Sequence, residues 1–194
     1  IIVMNMPGIS AIAAAEHTMT LMLALSRKLI YAHNSMRSGF WLMDRKQQAG
    51  NQINGKTLGI IGLGRVGTAV AQRALGFGMS VIAYDPYLQE DQVEDSRVIL
   101  LGLKDLLRRS DFVSIHVPAT TETNQMVNAS FIEMMKPGAR LINTAHGSII
   151  DENALVEAIK SGHLVGVALD VFSEEPPYNS RLVGMEGVIH TPHI

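Results

Sequence analysis

T-L-G-I-I-G-L-G-R-V-G, residues 57–67, decides the fold: a short apolar run that reads as a buried strand leads directly into Gly62, Gly64 and Gly67 and then into a segment of helical period. Each glycine has its own physical task. The first permits a tight turn at the strand end, the second lets the backbone approach a pyrophosphate, and the third lets helix and strand pack closely. Amides at the start of the following helix, around Arg65 and Val66, are then free to hold phosphate oxygens. The next strand, V-I-A-Y-D, ends on Asp85. Its carboxylate can accept hydrogen bonds from adenosine ribose hydroxyls and would repel a 2′-phosphate. The stretch therefore predicts a dinucleotide site that favours NAD over NADP, although the cation of Arg65 works against that preference. Three glycines serving only a turn would lack the strand, helix and acid that all stand here in the required places.

Outward from this stretch, apolar runs rich in Val and Ile alternate with segments of helical period. They predict strands over 57–61, 80–84, 97–100, 112–116, 140–143, 165–169 and 188–190, and helices over 66–77, 103–109, 130–135 and 152–161. Asp151 is placed to cap the last helix and Gly162 to close it. Upstream, Ser10 is placed to cap a helix over 10–31 whose apolar residues cover much of its circumference, so burial on more than one side is expected. Residues 34–55 read as a polar connection to the sheet. The fold class expected is α/β, a three-layer, doubly wound parallel sheet of Rossmann type.

Composition narrows the function classes. With 194 residues and 47% apolar content, one domain with a real core is expected. Sixteen Lys and Arg against eighteen Asp and Glu give a net charge of −2, which argues against nucleic acid as a partner. The absence of cysteine excludes a disulfide framework, a thiolate zinc site and a cysteine nucleophile, and fits a cytoplasmic setting. The apolar stretch 18–26 is far short of the roughly 20 residues of a membrane span, so no membrane partner is expected. His190 and His193 have no adjacent acid to complete a ligand set and lie in strand-like context, so no metal site is predicted.

Ordered blocks along nearly the whole chain carry a family resemblance: N-M-P-G at 5–8, A-A-E-H at 14–17, G-K-T-L-G-I-I-G-L-G-R-V-G at 55–67, S-I-H-V-P at 114–118, M-K-P-G-A-R-L-I-N-T-A at 135–145, A-L-D-V-F-S-E-E-P at 168–176 and T-P-H-I at 191–194. The chain resembles the D-isomer-specific 2-hydroxyacid dehydrogenases, in their phosphoglycerate dehydrogenase-like branch. The resemblance implies an NAD-binding domain over residues 1–194, with 1–33 forming a dimer-interface helix segment and the smaller, flanking substrate domain missing.

It also implies roles. An imidazole near neutral pKa suits removal and return of the substrate hydroxyl proton. His193 matches the family's acid/base histidine, and Glu175 matches the glutamate that raises its pKa and orients it. Asp170 matches an aspartate facing the nicotinamide side of the cofactor, while His116, Val117 and Pro118 match a loop that passes the adenine. Asn143, Thr144 and Ala145 follow a strand end, where α/β sheets place ligands. His17 is expected to be a packing or interface residue.

One position departs from the pattern. His146 stands where the family has the arginine that grips the substrate carboxylate, so the planar two-pronged contact of a guanidinium is replaced by single donors of a largely neutral ring. Substrate binding is expected to weaken. The function expected is NAD-dependent oxidation of the CH–OH group of a small D-2-hydroxy acid by a homodimer. The alternative is a non-catalytic, NAD(H)-responsive binding module of corepressor type; His146 favours that alternative, whereas His193 with Glu175 favours the enzyme.

Overall fold

The structure, a computed structural model, describes residues 9–41 and 49–194. Among them seven strands form one parallel sheet in the order β3-β2-β1-β4-β5-β6-β7. The strands are β1 (Thr57–Ile61), β2 (Ser80–Tyr84), β3 (Val98–Leu100), β4 (Phe112–Ile115), β5 (Ala139–Asn143), β6 (Leu164–Leu169) and β7 (Val188–His190). From β1 the chain winds outward through β2 to β3, then returns beside β1 as β4 and winds the other way. The sheet thus has its topological switch point between β1 and β4, where such sheets open a crevice at their carboxyl ends.

Helices cover both faces because the strands are apolar on both. In β1, Leu58 and Ile60 pack into one core and Ile61 into the other, as a period of two requires. The first core lies under α1 (Ile9–Ser26) and α3 (Arg65–Gly76) and joins Met19, Met22, Val70 and Ala74 to Leu58, Ile60, Ile142 and Ala168. The second lies under α4 (Leu103–Arg109), α5 (Ala129–Met134) and α6 (Glu152–Lys160), and holds Leu106, Phe131 and Leu155 against Ile61, Ile115 and Leu141. Three layers result. Asp151 caps α6 by accepting from the amides of Asn153 and Ala154, and Gly162 follows that helix at φ +75°.

The N-terminal helix is corrected. A single helix over 10–31 is expected, but the chain breaks after α1 and resumes as α2 (Leu29–Arg37), with Lys28 between them in the left-handed region at φ +52°. Ser10 lies inside the first turn of α1 rather than capping it, and residues 34–37 are helical rather than part of a polar connection. The remainder of that connection over 42–48, and the block at 5–8, lie outside the described residues. The other boundaries move by a residue or two, as helix and strand ends do. Helix α1 buries Ala11, Ala15, Met19, Leu21 and Met22 within its own chain and leaves Ile12 exposed, while α2 buries nothing.

Candidate active site at the carboxyl edge of the sheet

The glycine-rich turn lies at the switch point. Gly62 leaves β1 at φ +90°, and a Cβ there would lie 2.7 Å from the carbonyl oxygen of His116 and 2.9 Å from Val117 Cγ1, so the turn after β1 and the turn after β4 touch. At Gly67 a Cβ would collide with the carbonyl oxygen of Gly62, which is why the helix can begin so close to the strand. Gly64 is different. A side chain there would meet no atom within 4 Å, so its backbone borders open space, and it caps α3 without any side-chain group competing for the first amides. Val66 is half-buried at the same helix start, and the Arg65 side chain is exposed beside it. The outcome is a helix N-terminus with uncapped amides beside open space, an arrangement able to receive an anion.

Asp85 stands next to this turn. Its Oδ2 accepts from the Leu63 amide at 3.0 Å and its Oδ1 from the Tyr87 amide at 3.0 Å, so the carboxylate is oriented by backbone on both sides. His116 closes the opposite wall. Its Nε2 shares a hydrogen bond of 2.8 Å with the buried hydroxyl of Ser114. Part of its surface is accessible, yet the protein packed around the ring penalises the charged form and pushes its pKa down to about 4. It is a neutral wall at pH 7, followed by half-buried Val117 and exposed Pro118.

The loop after β5 is braced from within. Asn143 is fully buried; its Oδ1 accepts from the Ala145 amide at 3.0 Å and its Nδ2 donates to the His146 carbonyl at 2.9 Å. Both ends of that side chain are thereby used inside the loop. Thr144 Oγ1 meets Thr18 Oγ1 of α1 at 2.8 Å. The His146 side chain is exposed, and Gly147 packs so tightly on the Phe172 backbone that a Cβ could not fit. His146 is therefore held beside the segment that carries Asp170 and Glu175.

That segment leaves β6 and returns to β7, bringing two distant groups together. His193 Nδ1 and Glu175 Oε2 are 2.8 Å apart, and Glu175 Oε1 accepts from the Phe172 amide at 3.1 Å. The hydrogen bond from His193, with that from Phe172, holds the Glu175 carboxyl below the usual glutamate range; the same bond and the charge of Glu175 raise the pKa of His193. Among the described residues His193 Nε2 has no hydrogen-bond partner. Asp170, buried at the end of β6, accepts at Oδ1 from the Thr191 hydroxyl at 2.6 Å and from the Ile194 amide at 3.1 Å. His190 turns away from this centre: its ring lies edge-on to Phe172 and its Nε2 accepts from the Gly184 amide at 3.4 Å.

A glycine-rich turn at a helix start, a backbone-oriented acid beside it and a histidine–carboxylate pair share one edge of the sheet. A family model described as "D-isomer specific 2-hydroxyacid dehydrogenase, NAD binding domain" matches residues 19–194. The chain belongs to this family. It is 46% identical over 194 residues to D-3-phosphoglycerate dehydrogenase of Methanocaldococcus jannaschii, a match covering all of this chain and 37% of that protein. It is 41% identical to glyoxylate reductase of Thermococcus litoralis, covering all of this chain and 60% of that one. D-Lactate dehydrogenase of Aquifex aeolicus, solved with NAD and lactic acid, superimposes with a TM-score of 0.88 at 35% identity over 97% of this chain and 61% of that chain. The chain thus spans between about a third and three-fifths of the length of these relatives.

As a 2-hydroxyacid dehydrogenase NAD-binding domain, the chain has residues that fit the cofactor. The open border at Gly64 leaves room for the pyrophosphate against free amides, and the Asp85 carboxylate is aimed by backbone rather than by a neutralising cation. Sequence reasoning missed His17, Thr18 and Thr191 as members of this edge. His17 Nε2 lies 2.9 Å from Thr191 Oγ1, across 174 positions of chain, and 3.4 Å from Asp170 Oδ1, contacts for which no periodicity or motif spacing gives a signal.

Proposed function

We propose that the chain serves the reversible, NAD-dependent oxidation of the CH–OH group of a small D-2-hydroxy acid to the 2-oxo acid. The observation that carries this reading is the 2.8 Å pairing of His193 Nδ1 with Glu175, with His193 Nε2 left without a hydrogen-bond partner among the described residues. NAD, when bound, supplies the hydride chemistry; the chain's own residues handle the proton and the substrate anion. In the reducing direction His193 enters protonated on both nitrogens. Its Nδ1–H donates to Glu175 while its Nε2–H is given to the carbonyl oxygen, leaving a neutral ring and an alcohol. Oxidation runs the same transfer backwards, with neutral Nε2 taking the hydroxyl proton. A non-catalytic NAD-responsive module would have no chemical use for such a pair, which favours the enzyme over the corepressor-type reading.

Gly62, Gly64, Arg65, Val66 and Gly67 hold the pyrophosphate, Asp85 the adenosine ribose, and His116, Val117 and Pro118 the adenine side; Thr144, Ala145 and Asp170 border the nicotinamide end, where Asn143 shapes the loop. His146 meets the substrate carboxylate through one donor. The substrate class is that of the relatives named D-3-phosphoglycerate dehydrogenase and glyoxylate reductase. Residues 1–194 act as one NAD-binding unit that pairs with a second copy through its N-terminal segment. The cytoplasmic setting expected of a cysteine-free chain belongs to the same reading, and no helix among the described residues is long and apolar enough to cross a membrane.

The test is a calorimetric titration of the chain with NADH and with NADPH, repeated on Asp85→Ala. NADH should bind at least about tenfold more tightly than NADPH, the equivalent of one or two hydrogen bonds to a charged acceptor, and the preference should vanish in the variant. A folded chain that takes neither cofactor, or both equally, overturns the reading.

A further inference from the structure

We infer that His17, on α1, is a positioning residue for the His193–Glu175 pair: as an Nε2–H donor it fixes the Thr191 hydroxyl on Asp170 and so sets the turn that presents His193. The inference rests on the dehydrogenase reading for its consequence in catalysis, though its geometry stands apart from it.

The direction of each bond follows from the chemistry of the groups. Asp170 Oδ1, as a carboxylate oxygen, can only accept, so the Thr191 hydroxyl 2.6 Å away must spend its single proton there. Thr191 Oγ1 is then an acceptor toward His17 Nε2 at 2.9 Å, and that nitrogen must carry hydrogen. Asp170 Oδ1 itself lies 3.4 Å from the same nitrogen. Oδ1 also accepts from the Ile194 amide at 3.1 Å. One buried oxygen therefore grips the chain on both sides of Pro192 and His193.

The grip matters because the intervening turn holds His193 in an uncommon backbone conformation. His193 sits at φ +56°, a left-handed conformation that residues with a side chain adopt infrequently. In that conformation its exposed ring meets Glu175 at 2.8 Å. Packing holds the imidazole of His17 in turn: it is mostly buried on α1, next to Thr18, which is fully buried and bonded to Thr144 Oγ1. On the outer side of α1, Glu16 pairs with Arg73 of α3 at 3.1 Å. The charges facing His193 are those of Glu175 and Asp170.

Histidine-selective NMR on the intact chain tests this without relying on turnover. In the unsubstituted protein the His17 ring at pH 8 should show its proton on Nε2. In His17→Phe, which keeps the packing shape and removes the donor, the titration midpoint of His193 should fall toward the ordinary histidine value of about 6.5. In His17→Gln, whose amide nitrogen reaches the same place, it should stay raised. If the chain reduces 2-oxo acids with NADH, His17→Phe should lower kcat at least about tenfold with KM little changed, and His17→Gln should recover most of it. A proton on Nδ1 in the unsubstituted protein, or a His193 midpoint equal in all three proteins, overturns the inference. Should the chain bind no NADH while the midpoints shift as stated, the dehydrogenase reading fails and the positioning role stands.

Discussion

His193 is the residue on which the proposed chemistry turns, and its environment fixes a pH dependence. Its pKa is raised by the hydrogen bond and charge of Glu175. The proton needed for reduction is therefore present below the folded-state pKa and lost as pH rises through it. Glu175→Gln removes the charge and keeps the shape, so the alkaline fall in reduction rate should move to lower pH, toward about 6.5; a pH–rate profile, or an NMR titration of His193, reads this directly. His193→Gln should lower kcat by about 10²–10⁴-fold while NADH binding persists. At His146 the expectation runs the other way. His146→Arg supplies a permanent charge and two parallel donors, so KM for a 2-oxo acid should fall by roughly tenfold or more, and an unchanged KM would mean that the exposed ring does not meet the substrate carboxylate.

At the scale of elements, the loop between β6 and β7 carries Glu175 and is pinned to the start of α6 by one side chain. Glu152 Oε1 accepts from the amide and hydroxyl of Ser173 at 3.1 and 2.7 Å, and Oε2 from the Ser180 hydroxyl at 2.6 Å. Partial burial works against its charge, but these hydrogen bonds prevail and hold its pKa below the usual glutamate value. The stability it lends is present above the unfolded-state pKa and is lost as pH falls through the depressed one. Glu152→Gln should cost about 1 kcal/mol in chemical denaturation at pH 7, and the cost should shrink toward pH 3. Most elements were legible because their causes are local: the glycines of the turn, the β-branched runs of β1 and β2, and the Asp151 cap are each read within a few residues. The break between α1 and α2 has no such marker. Arg27 and Lys28 carry no glycine or proline, and Lys28 takes a left-handed conformation that its residue type does not announce. The same limit hid the partners of Asp170. Its position at a strand end could be read, but the bonds from Thr191 and the approach of His17 join segments that meet only through the packing of α1 over the sheet.

At the scale of the whole molecule, helix α2 stands out by its lack of burial. It is nine residues long and buries none of them, whereas isolated helices shorter than about 12–15 residues are marginal in water. Leu29, Ile30, Tyr31 and Met36 on the helix, and Phe40 and Trp41 just after it, are all exposed, with Trp41 at 75%. This apolar surface adjoins α1, whose other side is already covered by its own sheet and by α3. A second copy related by a two-fold axis would cover the same patch on both subunits and supply the burial that α2 lacks. The homodimer we propose therefore makes measurable claims. Light scattering at micromolar concentration should give twice the chain mass, and the double variant Ile30→Glu with Tyr31→Glu should halve it. Because dimerisation stabilises by mass action, the Tm of the unsubstituted chain should rise with protein concentration and that of the variant should not. Helix α2 supplies no residue to the crevice, so NADH affinity should be equal in the two. A monomer with a concentration-independent Tm would leave α2 without the burial it needs and would remove the N-terminal segment from the interface.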